Sequence, residues 1–179
     1  MQLSLTINLS PEISSSIVEQ LGEFRDAYQV MQWYDREELH IELFNFGKVD
    51  ESKIPALSEM IERGIYDATP FTLFSEKIHM MVKSSLTFYL GFYKSQSIEY
   101  LVKQLKNSFQ IVDDLVFYPH LPFARYRIPS KQQYLVLKKK CEGYPIEAEI
   151  PVTQITLVNS VIEQGKIRYE VVKEFALND

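Results

Sequence analysis

The sequence predicts a single α/β or α+β unit with largely antiparallel sheets. Helical and strand-like periodicities are interleaved along the chain and indicate about four helices and eight or more strands. Each half shows the order strand, helix, histidine-bearing strand, helix, which suggests a loose internal symmetry. The 179 residues, 46% of them hydrophobic, suffice for one core but would make two independent domains small. We therefore expect residues 1–179 to form one domain, with room for two lobes.

The first half begins with a half-buried strand, because Leu3, Leu5 and Ile7 alternate with polar residues. Ser10 followed by Pro11 is typical of a helix start, where a hydroxyl caps the helix and proline suits its first turn. The predicted elements that follow are a helix as far as Phe24, strands at 30–34 and 39–46 around a charged turn at 35–38, and a helix capped by Asp50.

The second half is predicted to contain the same mixture of elements. Ser130 and Gln133 form the pattern of a capping box, and the helix that they open should end at Gly143. The dipeptide Gln164-Gly165 indicates the turn of a closing hairpin. The predicted elements are strands at 71–81 and 86–93, a helix from Ser95 or Ser97 to Phe109, a strand region at 116–126, the capped helix, and strands at 146–150, 154–161 and 167–175.

Composition excludes several classes of protein. No apolar run reaches the ~20 residues that a membrane-spanning helix needs, and the first residues lack the basic region of a secretory signal. We expect a soluble, cytoplasmic protein with no membrane partner. The single cysteine, Cys141, cannot form an internal disulfide, and three histidines with one cysteine leave no Cys-rich zinc site. We therefore expect no metal and no cofactor, and a monomer in solution.

Cys141 could in principle be a nucleophile. No histidine or other base lies near it in the sequence, so we interpret it as a half-buried residue of a helix.

Charge is distributed unevenly along the chain. The net charge of −5 argues against non-specific coating of nucleic acid. Residues 1–70 hold 13 acidic and 5 basic side chains, whereas the remainder holds 11 acidic and 14 basic. A phosphate is therefore expected to meet the second half, where Arg125, Arg127 and Lys131 precede three consecutive lysines at 138–140. The alternative for those three lysines is a solvated helix face, which we favour.

The three histidines differ in their surroundings. On a strand, residues two apart share a face, so His40 should point with Glu42 away from the core, and His120 with Pro122. The two His-x-x-apolar tetrapeptides lie 80 positions apart, in equivalent places of the two halves. His79 has no matching neighbours, and we interpret it as a structural residue of a strand. The paired segments make His40 and His120 the candidate functional histidines.

Five segments share a pattern with a known family. They are LSPEI after the first strand, LHIELFNFGKVDESKI around His40, PFTLF, FYPHLPFAR around His120, and ITLVNSVIEQGKIRYEVVKEFAL at the end. In these segments the chain resembles the 2H phosphoesterase superfamily, in particular the bacterial and archaeal RNA 2′,3′-cyclic phosphodiesterases, also called 2′-5′ RNA ligases. Members carry one His-x-Thr/Ser-x motif in each of two lobes. The resemblance extends from one end of the chain to the other.

The resemblance implies a bilobal fold with pseudo-twofold symmetry and mainly antiparallel sheets around a central cleft. It implies that His40 and His120 are the catalytic pair, and that Arg125 occupies the place of an arginine that contacts phosphate. Two imidazoles suit the hydrolysis of a phosphodiester, because histidine serves as acid or base near neutral pH. The expected partner is an RNA end or a small nucleotide phosphodiester. The alternative for Arg125 is a surface arginine at a strand end.

The chain departs from that family where a Thr or Ser should donate to the phosphate two residues after each histidine. Here those positions hold Glu42 and Pro122. A carboxylate repels a phosphate in a low-dielectric cleft, and proline has neither a side-chain donor nor a backbone N–H. Glu42 could instead raise the pKa of a histidine, accept a hydrogen bond from a ribose hydroxyl, or do neither.

Three hypotheses of function follow. The first is a phosphodiesterase that acts on a cyclic phosphate or a short nucleotide. The second is a catalytically degenerate protein that keeps the cleft and binds a nucleotide or an RNA end, and the substitutions at Glu42 and Pro122 favour it. The third is an interaction protein whose 13% aromatic content reflects contact surfaces. We prefer the first, because both histidines are retained.

Overall fold

A computed structural model describes residues 1–113 and 115–178. Within these residues, nine strands and five helices are interleaved, which confirms the predicted mixed class. The strands are β1 (Gln2–Asn8), β2 (Gln32–Trp33), β3 (His40–Lys48), β4 (Phe71–Val82), β5 (Leu86–Phe92), β6 (His120–Tyr126), β7 (Glu149–Val152), β8 (Gln154–Glu163) and β9 (Lys166–Ala176). The helices are α1 (Pro11–Gln20), α2 (Gly22–Ala27), α3 (Ile54–Gly64), α4 (Gln96–Ser108) and α5 (Lys131–Glu142).

The strands form two sheets, each with one of the two motif histidines. Sheet 1 has four strands in the order β3-β1-β8-β9, and sheet 2 has five in the order β2-β6-β5-β4-β7. Every strand pair in both sheets is antiparallel, as predicted. Each sheet therefore combines strands from both halves of the chain, since β8 and β9 complete sheet 1 and β2 joins sheet 2.

Several predicted capping patterns are present. Ser10 Oγ accepts a hydrogen bond from the Ile13 backbone N–H at 3.3 Å. Ser130 Oγ accepts from the backbone N–H of Gln133 at 3.3 Å, and the Gln133 side chain accepts from the Ser130 N–H at 3.1 Å. These bonds satisfy donors that a helix start otherwise leaves unpaired. The Asp50 prediction was wrong in detail, because Asp50 precedes a short 3₁₀ turn without a side-chain cap and the α-helix begins at Ile54.

Element boundaries differ from the predicted ones at four places. The first helix breaks at Leu21 into α1 and α2. The strand predicted at 30–34 is reduced to Gln32–Trp33, and that at 146–150 begins only at Glu149. The strand region predicted from 116 starts at His120, directly after Pro119, which cannot donate to a ladder. The charged turn at 35–38 contains a 3₁₀ turn, Arg36–Glu38, stabilised by a capping box between Asp35 and Glu38.

The buried apolar side chains form one cluster that includes residues of both sheets. Leu3, Leu5 and Ile7 are almost fully buried, as the alternation in β1 predicted. On sheet 2, Phe24 of α2 packs edge-on against Phe88 at 6.1 Å between ring centroids. Among the described helices, none is long and apolar enough to cross a membrane.

Helices α3 and α4 pack against each other at a glycine. A Cβ added to Gly64 would lie 3.1 Å from Leu105 Cα and 3.0 Å from its Cδ2. We expect Gly64→Ala to lower the free energy of unfolding by ~1–3 kcal/mol, because a backbone neighbour cannot move aside without separating the helices. Gly22→Ala is the matched control: nothing lies within 4 Å of its Cβ position. We expect that variant to match or exceed the wild type in urea unfolding, and equal losses in both variants would contradict the packing argument.

Candidate active site

The first motif histidine lies on β3, on the face of sheet 1 that points away from the core. Thr6 of β1 lies directly opposite Glu42, and Asn8 lies opposite His40. Leu39, Ile41 and Leu43 are buried, as the alternation predicted. His40 and Glu42 therefore share one face, which we call the histidine face of sheet 1.

The second motif histidine has the same setting on β6. Gly91 of β5 lies opposite His120, and Tyr89 lies opposite Pro122. Directly opposite residues of an antiparallel pair share a face. His120, Pro122 and Tyr89 thus lie together on the histidine face of sheet 2.

A β-bulge follows each motif at the same position. On β3 the register shifts so that Glu42 pairs with Thr6 but Phe44 pairs with Leu5, which makes Leu43 the extra residue. On β6 the corresponding extra residue is Phe123, between the pairs Pro122–Tyr89 and Ala124–Phe88. Each bulge is three residues after its histidine, and a bulge reverses the alternation of faces beyond it.

In both strands the bulge brings the residue five positions after the histidine back to the histidine face. Arg125 lies opposite Thr87, on the side of Tyr89 rather than that of the buried Phe88. Asn45 lies opposite Ser4 in the same way. Strict alternation would have placed Arg125 on the face opposite to His120, five residues away. The bulge therefore brings Arg125 to the side of His120, where the resemblance expected it.

Both histidines are fixed by a backbone carbonyl two residues earlier. Nδ1 of His40 donates to the Glu38 carbonyl oxygen at 2.7 Å, and Nδ1 of His120 donates to that of Tyr118 at 3.1 Å. A carbonyl can only accept, so each Nδ1 carries the proton in the neutral ring, and Nε2 is the basic nitrogen. Among the described residues, neither Nε2 has a hydrogen-bond partner. No pattern in the sequence indicates these two bonds.

Each histidine also has a tyrosine edge-on beside it. The rings of His40 and Tyr169 are 4.5 Å apart at 67°, and those of His120 and Tyr89 are 5.4 Å apart at 70°. Tyr89 comes from the neighbouring strand β5, and Tyr169 comes from β9. Burial raises the pKa of both phenols, so both stay protonated at neutral pH. No sequence motif indicates a role for either tyrosine.

The contact of Tyr169 with His40 shows that sheet 1 is strongly curled. β3 and β9 are the two edge strands of that sheet, with β1 and β8 between them. Lys166, at the start of β9, also forms an ion pair at 2.9 Å with Asp35, just before β3. The start of β9 therefore arches over the histidine face and reaches the segment that precedes His40.

The strands that carry the two motif histidines lie next to each other. β3 and β6 are in contact although they belong to different sheets. The pKa of Tyr169 is raised mainly by burial and also by the carboxylate of Glu42, while the charge of Arg125 opposes the shift. Tyr169 is thus close to charged groups from both sheets. Tyr34, next to β2, lies under the Arg125 guanidinium at 5.5 Å.

The carboxylate of Glu42 is held within sheet 1. Its Oε2 accepts hydrogen bonds from Ser4 Oγ at 2.9 Å and from Asn45 Nδ2 at 3.1 Å. Burial lowers the pKa of His40, and the Glu38 carbonyl and the Glu42 charge oppose that shift without outweighing it. His40 is therefore neutral at physiological pH and able to accept a proton at Nε2.

His79 is a residue of strand β4, as predicted, and its ring packs against sheet 2. It pairs with Tyr89 and stacks nearly parallel to it, with ring centroids 5.4 Å apart. A Cβ on Gly91 would lie 2.6 Å from His79 Cδ2, so the ring covers that glycine. His79 is thus on the histidine face of sheet 2, beside Tyr89.

The other sequence candidates lie outside this site. Cys141 is 2% exposed, more deeply buried than expected, and burial raises its pKa to about 12, so the thiol is not a nucleophile. The lysines at 138–140 are exposed on α5, as the solvated-face interpretation predicted. Among the described residues, no group of three or more His, Cys, Asp or Glu side chains is placed to hold a metal ion.

Two cavities open beside His40 and Tyr169. The smaller, of about 290 Å³, is lined by both rings and by Asn8, Arg36 and Val171, among others. The larger, of about 650 Å³, has Tyr169 in its wall together with Lys166, Arg168 and three carboxylates of residues 35–38. Tyr169 and Glu37 line both cavities.

The chain is similar to known proteins over most of its length. The sequence model of the 2′-5′ RNA ligase superfamily matches residues 13–161. An RNA 2′,3′-cyclic phosphodiesterase from Thermotoga maritima is 23% identical, over 97% of this chain and 94% of that protein. E. coli LigT in its apo form superposes with a TM-score of 0.79 at 21% identity, over 99% of this chain and 98% of LigT. A Thermus thermophilus protein gives 0.77 at 19% identity with the same coverage.

The lowered pKa of His40 makes stability depend on pH. The unfolded chain binds a proton at His40 near pH 6.5, whereas the folded protein binds it only at lower pH. Folding stability should therefore fall as pH decreases below about 6.5, and His40→Gln should remove that part of the decline. Urea unfolding at about pH 7.5 and about pH 5.5 measures the difference. Gln132→Ala, at an exposed position of α5, should decline like the wild type; an identical decline in His40→Gln would contradict the burial argument.

Proposed function

Because the chain belongs to the 2′-5′ RNA ligase superfamily, we propose that it is a phosphodiesterase that opens 2′,3′-cyclic phosphates at RNA ends or hydrolyses small nucleotide phosphodiesters. The reaction would use His40 and His120 as the acid/base pair. One observation carries the proposal: the two histidines occupy equivalent bulged strands, and each is fixed through Nδ1 to the carbonyl two residues earlier. Purely structural histidines have no reason to share that arrangement.

The two imidazoles divide the proton transfers. His40 is the general base, because burial keeps it neutral, and its Nε2 takes a proton from water. The water oxygen attacks phosphorus, one phosphorus–ribose oxygen bond breaks, and protonated His120 gives the Nε2 proton to the leaving oxygen. The product is a phosphomonoester next to a free hydroxyl. The Nδ1 bonds hold both rings in the tautomer that this exchange requires.

Arg125 is the proposed phosphate ligand. It is exposed, lies on the histidine face of sheet 2, and contacts the ring of Tyr34 at 5.5 Å. A guanidinium can form two parallel hydrogen bonds to phosphate oxygens, which orients the group as well as binding it. The bulge at Phe123 supports this role, since Arg125 would otherwise point away from His120.

A nucleotide or RNA end is the proposed substrate class. The curated relative is named an RNA 2′,3′-cyclic phosphodiesterase. E. coli LigT structures include complexes with 3′-AMP, ATP, NADP⁺ and phosphate, and the 3′-AMP complex superposes on this chain with a TM-score of 0.74. The aromatic side chains beside the histidines are compatible with a nucleoside, because base faces stack on such rings.

A second candidate function is binding without turnover. Pro122 lacks any donor, and Glu42 places a carboxylate beside His40. A degenerate protein of this kind would recognise a nucleotide or RNA end through Arg125 and the aromatic rings. Ligand-dependent thermal stabilisation without hydrolysis would favour it over the phosphodiesterase.

Removal of either motif histidine should abolish most turnover. We expect His40→Ala and His120→Ala each to lower kcat for nucleoside 2′,3′-cyclic phosphates by ~10²–10⁴-fold, since each supplies one proton transfer. The wild-type rate should be bell-shaped in pH, and each variant should lose one limb. Lys139→Ala, on the exposed face of α5, is the control and should retain the wild-type rate. Equal rates in all four proteins would refute the proposed activity.

Arg125 should contribute mainly to binding. Arg125→Ala should raise KM, or the Kd of a product mononucleotide, by ~10- to 100-fold, as expected for the loss of hydrogen bonds to a charged group. Arg127→Ala is the matched control, because Arg127 lies just after β6 and its guanidinium rests over Tyr126 at 5.8 Å. Calorimetric titration compares the two variants. A similar loss in both would show that the effect is general charge rather than a specific phosphate contact.

A further inference from the structure

The positions beside the two histidines cannot donate a hydrogen bond to a phosphate. Glu42 and Pro122 lie two residues after His40 and His120, on the same faces. A carboxylate accepts only, and proline has no N–H. Charge that develops on phosphate oxygens during hydrolysis needs donors placed in advance. Some other group must supply them if the proposed reaction occurs.

We propose that the phenol hydroxyls of Tyr89 and Tyr169 are these donors. Each donates a hydrogen bond to the substrate phosphate, Tyr89 from beside His120 and Tyr169 from beside His40. The inference rests on the proposed function, because it concerns the transition state of that reaction. It gives two tyrosines from different sheets the role of hydrogen-bond donor, which neither Glu42 nor Pro122 can fill.

Tyr89 is placed for this role by strand register. It is the directly opposite partner of Pro122, and Cβ atoms in such pairs are ~4.5–5.5 Å apart. Its ring meets that of His120 edge-on at 5.4 Å. His79 stacks on its other side at 5.4 Å and limits the movement of the ring. The Tyr89 ring is therefore held in place on the same face as Pro122, where the second motif has no donor.

Tyr169 is placed by the curl of sheet 1. Its ring meets that of His40 edge-on at 4.5 Å, and it lines the cavity that His40 also lines. The influence of Arg125 on its pKa shows that it also lies near the proposed phosphate ligand. Tyr169 thus lies beside the proposed general base, in the wall of a cavity that both rings line.

Two hydroxyls of β1 near the first motif, those of Ser4 and Thr6, are already engaged. Ser4 Oγ donates to Glu42 at 2.9 Å. Thr6 is fully buried, and its Oγ1 bonds to Asn8 Oδ1 at 2.9 Å and to the Thr156 carbonyl at 3.2 Å. Among the described residues, the hydroxyls of Tyr89 and Tyr169 have no hydrogen-bond partner. Both hydroxyls are therefore free to donate, and each belongs to a ring that contacts a motif histidine.

The test compares kcat and KM for a nucleoside 2′,3′-cyclic phosphate in Tyr89→Phe, Tyr169→Phe and Tyr66→Phe. Tyr66 follows α3, is 74% exposed and is the matched control for the loss of a phenol hydroxyl. We expect kcat to fall on the order of 10²-fold in each of the first two, with KM nearly unchanged, since a transition-state donor is removed. The pH profile should keep its shape, because both histidines remain. Thermal unfolding checks that each variant is folded.

The outcomes separate this inference from the function on which it rests. If the wild type is no faster than His40→Ala, the proposed activity fails and the donor roles fail with it. If the wild type is active and a tyrosine variant keeps the rate of Tyr66→Phe, the donor role of that tyrosine is overturned while the activity stands. A variant whose loss is accompanied by a displaced pH profile would show a role in positioning its histidine instead, which also overturns the proposal.

Discussion

The β-bulge that follows each histidine motif determines which side chains surround the two motif histidines. A regular strand gives alternate residues to each face, so His40 would share its side with positions 42, 44 and 46. The bulge at Leu43 replaces Phe44 by Asn45 on that face, and the bulge at Phe123 does the same for Arg125. The core benefits from the same shift, because Ala124 pairs with buried Phe88. A local irregularity of one residue thus satisfies packing on one face and places a charged group on the other.

The two motifs use similar backbone geometry but different side chains. On sheet 1 the carboxylate of Glu42 is stabilised by hydrogen bonds from Ser4 and Asn45. On sheet 2 Pro122 is tolerated because β2 pairs with β6 only at Ala124 and Arg125, which leaves the edge beside Pro122 free of a ladder bond. The histidine placement, with its carbonyl anchor, is common to both, whereas the residues two positions later, Glu42 and Pro122, differ in their chemistry and contacts. The tyrosines restore hydroxyl groups to both faces from outside the motifs.

Much of the fold was accessible from periodicity and capping. The alternation of Leu3, Leu5 and Ile7 and the capping box at Ser130 are local signals, and local signals predict local structure. The contact between Tyr169 and His40 was not accessible, because it joins residues 129 positions apart through the curl of a four-stranded sheet. The position of Arg125 required a bulge that no pattern in the sequence announces. The neighbours of His79 were not accessible either, because they depend on the register of strand pairing across the turn at 83–85, which places His79 opposite Tyr89.

The pairing of β1 with β8 has a consequence for how the protein is made. β1 comprises residues 2–8, yet one of its two neighbours is formed by residues 154–163. During synthesis one edge of β1 therefore stays unpaired until residues 154–163 have emerged from the ribosome. Contacts between residues so far apart in the sequence form slowly, because closing a long loop costs entropy before strand pairing can stabilise the sheet. Tyr169 arrives later still, on β9, so the surroundings of His40 are completed only after residues 166–176 have been translated.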